Sequence, residues 1–224
     1  MKIKKKSPAN VFGMDANGSQ EKKEYRMILW SILTIEAWNK LKSKGFLRGN
    51  LRYIDKYHIE PYRWLSNQMC ARIGPKPSDD TWPVWAWYQW QGEKRKRPDL
   101  RSGGLSQKGE YGIRVEFEID ENSVLLSDYE LWYYVLNYCY LPLSEKSSKE
   151  FKAMIAQHNL CYYKTKPLPN KTFHKIIVDS WGKIFDLDWS AKYIALKRSE
   201  KSIQATLWEI RYEQVRNIKK FIAR

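Results

Sequence analysis

The amino-acid sequence predicts an α+β fold, a single domain with a mixed, mostly antiparallel sheet and flanking helices. Stretches with strand patterns and stretches with helical spacing follow one another irregularly rather than as repeated βαβ units. The length of 224 residues suits one domain. Hydrophobic residues make up 43% of the chain and aromatic residues 15%, which excludes disorder of the whole chain because disordered chains lack aromatic residues.

The first predicted elements are a buried strand and two helices. The apolar run 27–33 favours a strand, and Thr34 can cap a helix that continues to Lys44 and ends at Gly45. A second helix is predicted over residues 61–72, because apolar side chains recur there every three or four positions.

Two more strands precede a capped helix. Residues 82–90 place large aromatic rings on both faces of a strand, so this strand is either fully buried or lines a cleft. Residues 113–119 alternate apolar with charged side chains, which is the clearest strand pattern in the chain. Ser127 and Glu130 have the spacing of a capping box, which predicts a helix from there to about Tyr138.

The last third of the chain is predicted to contain two helices, a strand and a closing segment. The helices cover residues 150–158 and 172–182, and the strand covers residues 203–210. Residues 213–221 are predicted to form a closing turn or short helix.

The positive charge predicts a polyanionic partner. Lys and Arg total 40 against 25 Asp and Glu, for a net charge of +15, and basic groups near phosphates release condensed counterions. Residues 1–26 are predicted to be a flexible basic arm, and residues 27–224 the domain. A basic cluster next to aromatic residues suits single-stranded nucleic acid, and its candidate binding residues are Lys94, Arg95, Lys96 and Arg97. The alternative is a basic surface that only keeps the protein soluble.

Several classes of protein are excluded or disfavoured. The three cysteines are widely spaced, which argues against a disulfide framework and favours a reducing compartment. The three histidines lack ligand spacing, so no metal is expected. No apolar stretch is long enough for a membrane span and no secretory signal is visible, so we expect a cytoplasmic protein with no membrane partner. The oligomeric state is left open.

The aromatic segment is the first candidate binding site. Trp85, Trp87, Tyr88 and Trp90 cannot all be ordinary core, which favours at least one ring facing a groove that can stack a planar ring, with Trp85, Trp87 or Tyr88 as the candidates. Arg101 in the following loop can hold phosphates of the stacked ligand. Arg63 can clamp a base or phosphate, or can simply be an exposed residue beside a core Trp.

Polar residues in two other places are separate candidates. Gln204 and Thr206 share a face of an otherwise apolar strand, so they either pair with neighbouring loops or line a site. Ser127 and Asp128 at a helix start can bind a polar ligand group or can act only as a cap.

Several stretches with characteristic Trp positions span residues 27–224. They are residues 29–32 with Trp38 and Gly45, 63–64 with Gln68 and Met69, 84–88, 98–101, 124–128 with Trp132, 136–137, and 204–210. Together they resemble an uncharacterised bacterial and phage family of unknown function. This resemblance implies no activity.

The strand, capped helix and glycine over residues 28–45, together with the strand that contains Gln204, are similar to the ADP-ribosyltransferase-like fold. The resemblance implies NAD as cofactor, with Ser31 where that family has the His or Arg that holds the ribose. It also places Thr206 where the catalytic Glu stands, and Thr206 cannot stabilise the oxocarbenium-like charge that develops as nicotinamide leaves. Glu209 and Asp128 are therefore the candidate catalytic acids.

The leading hypothesis is an ADP-ribosyltransferase-like protein that uses NAD to modify a nucleic acid or a nucleic-acid-associated target, as a toxin or phage-defence element would. In this hypothesis the aromatic segment stacks nicotinamide or adenine, and Arg63 or Arg101 holds the phosphates. One alternative is a non-catalytic nucleic-acid or nucleotide-binding protein. A further alternative is an RNA nuclease or phosphotransferase that acts through Arg and Lys.

Overall fold

The computed structural model describes residues 25–161 and 164–224, and an antiparallel sheet forms its centre. The strands in this part of the chain are β1 (Arg26–Thr34), β2 (Phe46–Leu47), β3 (Val84–Gln89), β4 (Tyr111–Asp120), β5 (Leu125–Asp128), β6 (Ile203–Leu207), β7 (Ile210–Arg211) and β8 (Val215–Ile222). The α-helices are α1 (Ile35–Lys44), α2 (Ile59–Ile73), α3 (Tyr129–Leu136), α4 (Glu145–Gln157) and α5 (Lys171–Ser180). Six strands pair in the order β5-β6-β3-β1-β4-β8, and β2 pairs with β7. The α+β prediction is confirmed.

The beginning of the fold follows its local sequence signals. The Thr34 hydroxyl accepts a hydrogen bond from the Ala37 amide at the start of α1. Gly45 ends α1 with φ at 77°, a left-handed conformation that glycine adopts without a Cβ penalty. The predicted strand and capped helix are therefore confirmed, and β1 begins at Arg26, inside the segment predicted as an arm. Residues 1–24 of that predicted arm lie outside the described residues.

Two hydrophobic cores lie on opposite faces of the sheet. One core packs α1 against the sheet through Trp38, Leu41 and Val115. The other core joins the helical layer to the strands at the β5 end, and Leu65, Trp132 and other residues of α2, α3, α4 and α5 contribute to it. Burial of these apolar surfaces is the main force that holds both layers on the sheet.

Helix α3 begins one residue later than the capping-box pattern predicts. Asp128, not Ser127, is the N-cap, and its carboxylate accepts hydrogen bonds from the amides of Glu130 and Leu131. Ser127 instead belongs to β5 because that strand pairs with β6 as far as Asp128. The helix ends at Leu136, shortly before the predicted end.

The prediction for residues 213–221 was wrong. Val215, Ile218 and Phe221 recur at a spacing that resembles a helix, but β8 pairs along β4 from Phe117 to Tyr111. Pairing with a long neighbouring strand satisfies the backbone of β8 and outweighs the local pattern.

Three other elements differ from the prediction mainly in their ends. Helix α4 begins at Glu145 because Ser144 forms a capping box there, well before the predicted start. Helix α5 ends at Ser180 and continues as a 3-10 turn, Trp181–Phe185. The predicted strand over residues 203–210 is divided into β6 and β7.

Candidate nucleic-acid interface

Five aromatic side chains form a cluster that belongs to neither core, and we call it the aromatic row. Its members are Trp30, Trp87, Trp90, Tyr129 and Tyr133. The ring centroid of Trp87 lies 4.5 Å from that of Trp90 and 5.1 Å from that of Tyr129. The Tyr129 and Tyr133 hydroxyls are 2.7 Å apart, and Trp30 stands directly opposite Trp87 between β1 and β3. The three Trp side chains and Tyr129 are half-buried, and Tyr133 is exposed.

Burial and a hydrogen bond disfavour ionisation of the Tyr129 phenol. Burial, followed by the hydrogen bond with Tyr133, raises the pKa of Tyr129 to about 12. The hydroxyl carries its proton at neutral pH, as an ordinary Tyr does, and the raised pKa extends that protonated range to more alkaline pH.

The strand register continues the aromatic row into polar groups on the same face. Ser127 pairs with Gln204, Gln204 with Trp87, Trp87 with Trp30, and Trp30 with Glu116. Residues paired across neighbouring strands point to one face, so this line crosses five strands and spans roughly 19 Å. The Trp30 indole N–H donates to Glu116 Oε2 at 2.7 Å, which fixes the ring.

Three buried polar atoms near this line have no hydrogen-bond partner within the described residues. They are Ser127 Oγ, Gln204 Oε1 and Trp90 Nε1. A buried polar atom without a partner costs about 1–3 kcal/mol, so three near one cluster indicate a place where a polar ligand gains binding energy. The set comprises a hydroxyl, an acceptor and a donor, which can match the edge of a nucleobase.

Basic side chains border the aromatic row at the side of β4. Arg114 lies on the same face as Glu116, and its Nη1 donates to the Pro98 carbonyl at 2.7 Å, which ties the basic loop to the sheet. Burial, followed by the charge of Arg97, lowers the pKa of Arg114. Exposed Lys219 pairs with Arg114 across β4 and β8. Positive charge therefore accumulates beside the rings.

The candidate nucleic-acid-binding residues of the loop are exposed. Among the described residues, Lys94, Arg95 and Arg97 take part in no ion pair. The ammonium group of Lys96 lies 5.4 Å from the centroid of the Tyr88 ring. These four residues thus present charge to solvent.

Arg101 differs from the other basic residues of the loop because the carboxylate of Asp99 neutralises its charge. It makes a two-point contact with Asp99, with Nε 3.0 Å from Oδ1 and Nη2 2.7 Å from Oδ2. This contact holds the pKa of the Asp99 carboxyl far below its ordinary value and raises that of Arg101. Arg63 is likewise exposed and paired, in its case with Glu60 at 2.6 Å.

The three rings expected to stack a ligand lie in different environments. Trp85 packs against the helical core, where its indole N–H donates to the Tyr62 hydroxyl at 3.1 Å and its ring lies 5.2 Å from Trp132. Strand alternation turns Tyr88 to the face of Val84 and Ala86, where it packs against the other core, and the register then shifts at a β-bulge before Gln89. Trp87 alone of these three belongs to the aromatic row.

Ser31 and Thr206 are buried and make hydrogen bonds to backbone. The Ser31 hydroxyl, in a residue 2% exposed, donates to the Trp85 carbonyl at 2.9 Å. The Thr206 hydroxyl, in a residue 0% exposed, donates to the Leu125 carbonyl at 3.1 Å. Both side chains stabilise strand pairing.

The candidate acids Glu209 and Asp128 are both ion-paired. Glu209 accepts from Arg48 Nε at 2.9 Å and from Arg211 Nε at 2.7 Å. It lies five residues beyond Gln204, past the end of β6 at Leu207. Asp128 forms a buried ion pair with Lys201 at 2.9 Å besides capping α3. The structure therefore brings Gln204 beside Trp87 but keeps Glu209 apart from both.

Sequence reasoning missed Trp30, Arg114 and Glu116. A signal for the last two is present, because alternation over residues 113–119 separates them from the buried apolar side chains. Trp30 lies within the apolar run 27–33, so the sequence does not distinguish it from the core residues around it. Only its pairing with Trp87 places it at the candidate site.

The described residues contain neither a cluster of metal ligands nor a helix that could span a membrane. Over residues 25–161 and 164–224, no three His, Cys, Asp or Glu side chains group as metal ligands would. No helix in the same ranges combines the length and apolar character needed to cross a bilayer.

Comparison with known proteins identifies a family but no activity. A family model described as "Domain of unknown function (DUF3841)" matches residues 28–216. This range includes the aromatic row and both candidate acids. No curated protein and no solved structure matches the chain.

Proposed function

The chain belongs to a family of domains of unknown function, DUF3841, and we propose that it binds single-stranded nucleic acid on the aromatic row. Bases stack on the half-buried rings of Trp30 and Trp87, while phosphates contact the basic loop and Arg114. The aromatic row carries this proposal, because large rings outside both cores and partly open to solvent are a stacking surface.

The unpartnered polar atoms beside Trp87 support the same function. A stacked base presents donors and acceptors at its edge. Gln204 Oε1 and Ser127 Oγ lie on the same face of the sheet but are buried, so a base pairs with them once their side chains turn toward it. Pairing with a base removes the cost of leaving these atoms unsatisfied.

The charge distribution supports a polyanion rather than a neutral ligand. The chain carries +15, and the residues beside the rings include Arg97, Arg114 and Lys219. Each phosphate that contacts a basic side chain releases counterions, so affinity must fall as salt rises.

Fluorescence anisotropy with a labelled single-stranded RNA tests the proposal. Trp87→Ala is expected to weaken binding roughly 5- to 150-fold, since one stacked base contributes about 1–3 kcal/mol. Arg97→Ala is expected to lower the salt slope by about 1. Exposed Lys152 on α4, replaced by Ala, is the matched control and is expected to change neither quantity.

Circular dichroism of each variant separates loss of binding from loss of folding. RNA affinity that is unchanged in folded Trp87→Ala and Arg97→Ala proteins would overturn the proposal. So would failure of the native protein to bind RNA or single-stranded DNA at low salt. Labelled RNA is expected to stay intact during incubation, and cleavage would instead favour the nuclease or phosphotransferase hypothesis.

The NAD-dependent transferase function stays a prediction. One observation favours it: Gln204 pairs with Trp87 across β3 and β6 and so lies beside the aromatic row. It requires Glu209 to leave Arg48 and Arg211, or another acid to act. Thermal-shift measurements with NAD and with RNA compare the two functions, because a ligand stabilises the native state that binds it. Nicotinamide release that Glu209→Gln abolishes would favour the transferase.

A further inference from the structure

Strand β8 has an open edge. It is the last strand of the six-stranded sheet, and β4 is its neighbour; within the described residues no strand pairs with its other side. An edge strand presents N–H and C=O groups that can pair with an added strand. Its eight residues, Val215–Ile222, make it long enough to support such pairing.

Apolar side chains line one face of this edge. Tyr111 pairs with Ile222 and Val115 pairs with Ile218, so Tyr111, Ile218 and Ile222 share the face that carries the α1 core. Their exposed fractions are 66%, 37% and 53%. Exposed apolar side chains along an open strand edge provide area that a partner strand can bury.

The same edge is positively charged. Strand β8 contains Arg216, Lys219 and Lys220 and no acidic residue. Arg216 is paired with Glu118 at 2.8 Å, whereas no ion pair among the described residues involves Lys219 or Lys220. Lys220, which shares a face with Ile218 and Ile222, therefore remains available to an incoming strand.

These charges decide which strand can pair with β8. A second copy of β8 would place basic side chains against basic side chains, and like charges opposite one another destabilise a strand pair. Residues 1–24 contain six lysines against three acidic residues, so they are a poor complement as well. An acidic strand is the complementary occupant.

We propose that β8 binds an extended acidic segment of a partner protein as an added strand of the sheet. Backbone hydrogen bonds along β8 provide affinity, an acidic side chain of the segment pairs with Lys220, and apolar side chains on the same face of the segment cover Ile218 and Ile222. This interaction is independent of the nucleic-acid function, because Lys220 and Ile222 lie on the face opposite the aromatic row.

The test uses the full chain and a labelled peptide with the length of β8 in which every second residue reads Val, Glu, Val, so that one face of the added strand places Glu opposite Lys220 and Val opposite Ile218 and Ile222. Hydrogen exchange is expected to slow at the backbone amides of β8 when the peptide binds. Lys220→Glu is expected to weaken binding by about tenfold or more, since like-charge contacts at an interface are costly. The matched control, Lys152→Glu on α4, has the same charge change and is expected to bind normally.

Several results would overturn this inference. They are unchanged exchange in β8 at saturating peptide, equal affinity of a peptide with Lys in place of Glu, or normal binding by Lys220→Glu. Protection of β8 by RNA instead of by the peptide would assign this edge to nucleic acid. Trp87→Ala distinguishes the two proposals, because it is expected to weaken RNA binding and leave peptide binding unchanged.

Discussion

Removal of the buried charge at Lys201 is expected to destabilise the protein strongly. Lys201 is 1% exposed, and its ammonium group lies 2.9 Å from Asp128 Oδ2 and donates to the Trp189 carbonyl at 2.8 Å. Asp128 is 2% exposed and caps α3. The pair thus attaches the loop that precedes β6 to the start of α3.

Lys201→Met retains much of the side-chain volume but leaves the Asp128 carboxylate buried without its cation. Loss of one partner of a buried ion pair costs about 3–5 kcal/mol. In a domain of this size that corresponds to a fall in melting temperature of roughly 6–20 °C. Asp128→Asn keeps an oxygen for the helix cap but leaves the lysine unpaired, so a loss of the same order is expected.

The double variant Lys201→Met with Asp128→Asn removes both charges and is expected to recover about 0.5–3 kcal/mol relative to the sum of the single losses. Urea denaturation followed by circular dichroism measures each free energy of unfolding. Lys149→Met is the control, because Lys149 pairs with Glu145 on the exposed surface of α4 and such pairs contribute about 0–1 kcal/mol. A Lys201→Met loss as small as the control's, or strictly additive single losses, would refute the reasoning.

Three further substitutions test two buried hydroxyls of the sheet and one close backbone contact. Thr206→Val removes a buried hydroxyl that donates to the Leu125 carbonyl and is expected to cost about 0.5–1.5 kcal/mol in urea denaturation. Ser127→Ala removes a buried hydroxyl that has no partner in the described residues, so the free protein is expected to be equally stable or more stable. RNA binding by this variant is expected to weaken. A loss of stability comparable to that of Thr206→Val would contradict the first expectation. Gly49→Ala places a Cβ against backbone oxygens of neighbouring residues 82 and 83, and we expect a loss of about 1–3 kcal/mol; an unchanged melting temperature would refute that clash.

Local signals were enough to predict part of the fold. The Thr34 cap and Gly45 mark the two ends of α1, and the alternation over residues 113–119 marks β4. These signals work because caps, turns and side-chain periodicity depend on residues close together in the chain. The same locality explains the error in β8, whose apolar spacing resembles a helix until β4 provides a pairing partner.

The candidate site was predicted only in part. Trp87 and Gln204 were both identified from the sequence, and they are direct neighbours across β3 and β6. Trp85 was expected beside them as a stacking ring, but its side chain contacts Tyr62 and Trp132 in the core. Which half-buried ring belongs to a core depends on the helices that cover the strand, and strand alternation does not contain that information.

The sequence by itself determined the fold class, the basic charge and the concentration of aromatic residues before a cationic loop, because composition and short-range periodicity are properties of the chain alone. Tertiary structure decided the line from Ser127 to Glu116, the burial of Lys201 against Asp128 and the open edge of β8. Each of these depends on strand register or on contacts between distant segments. A shift of one residue in register would turn Trp87 and Gln204 to opposite faces, so the candidate site exists only once the whole sheet has formed.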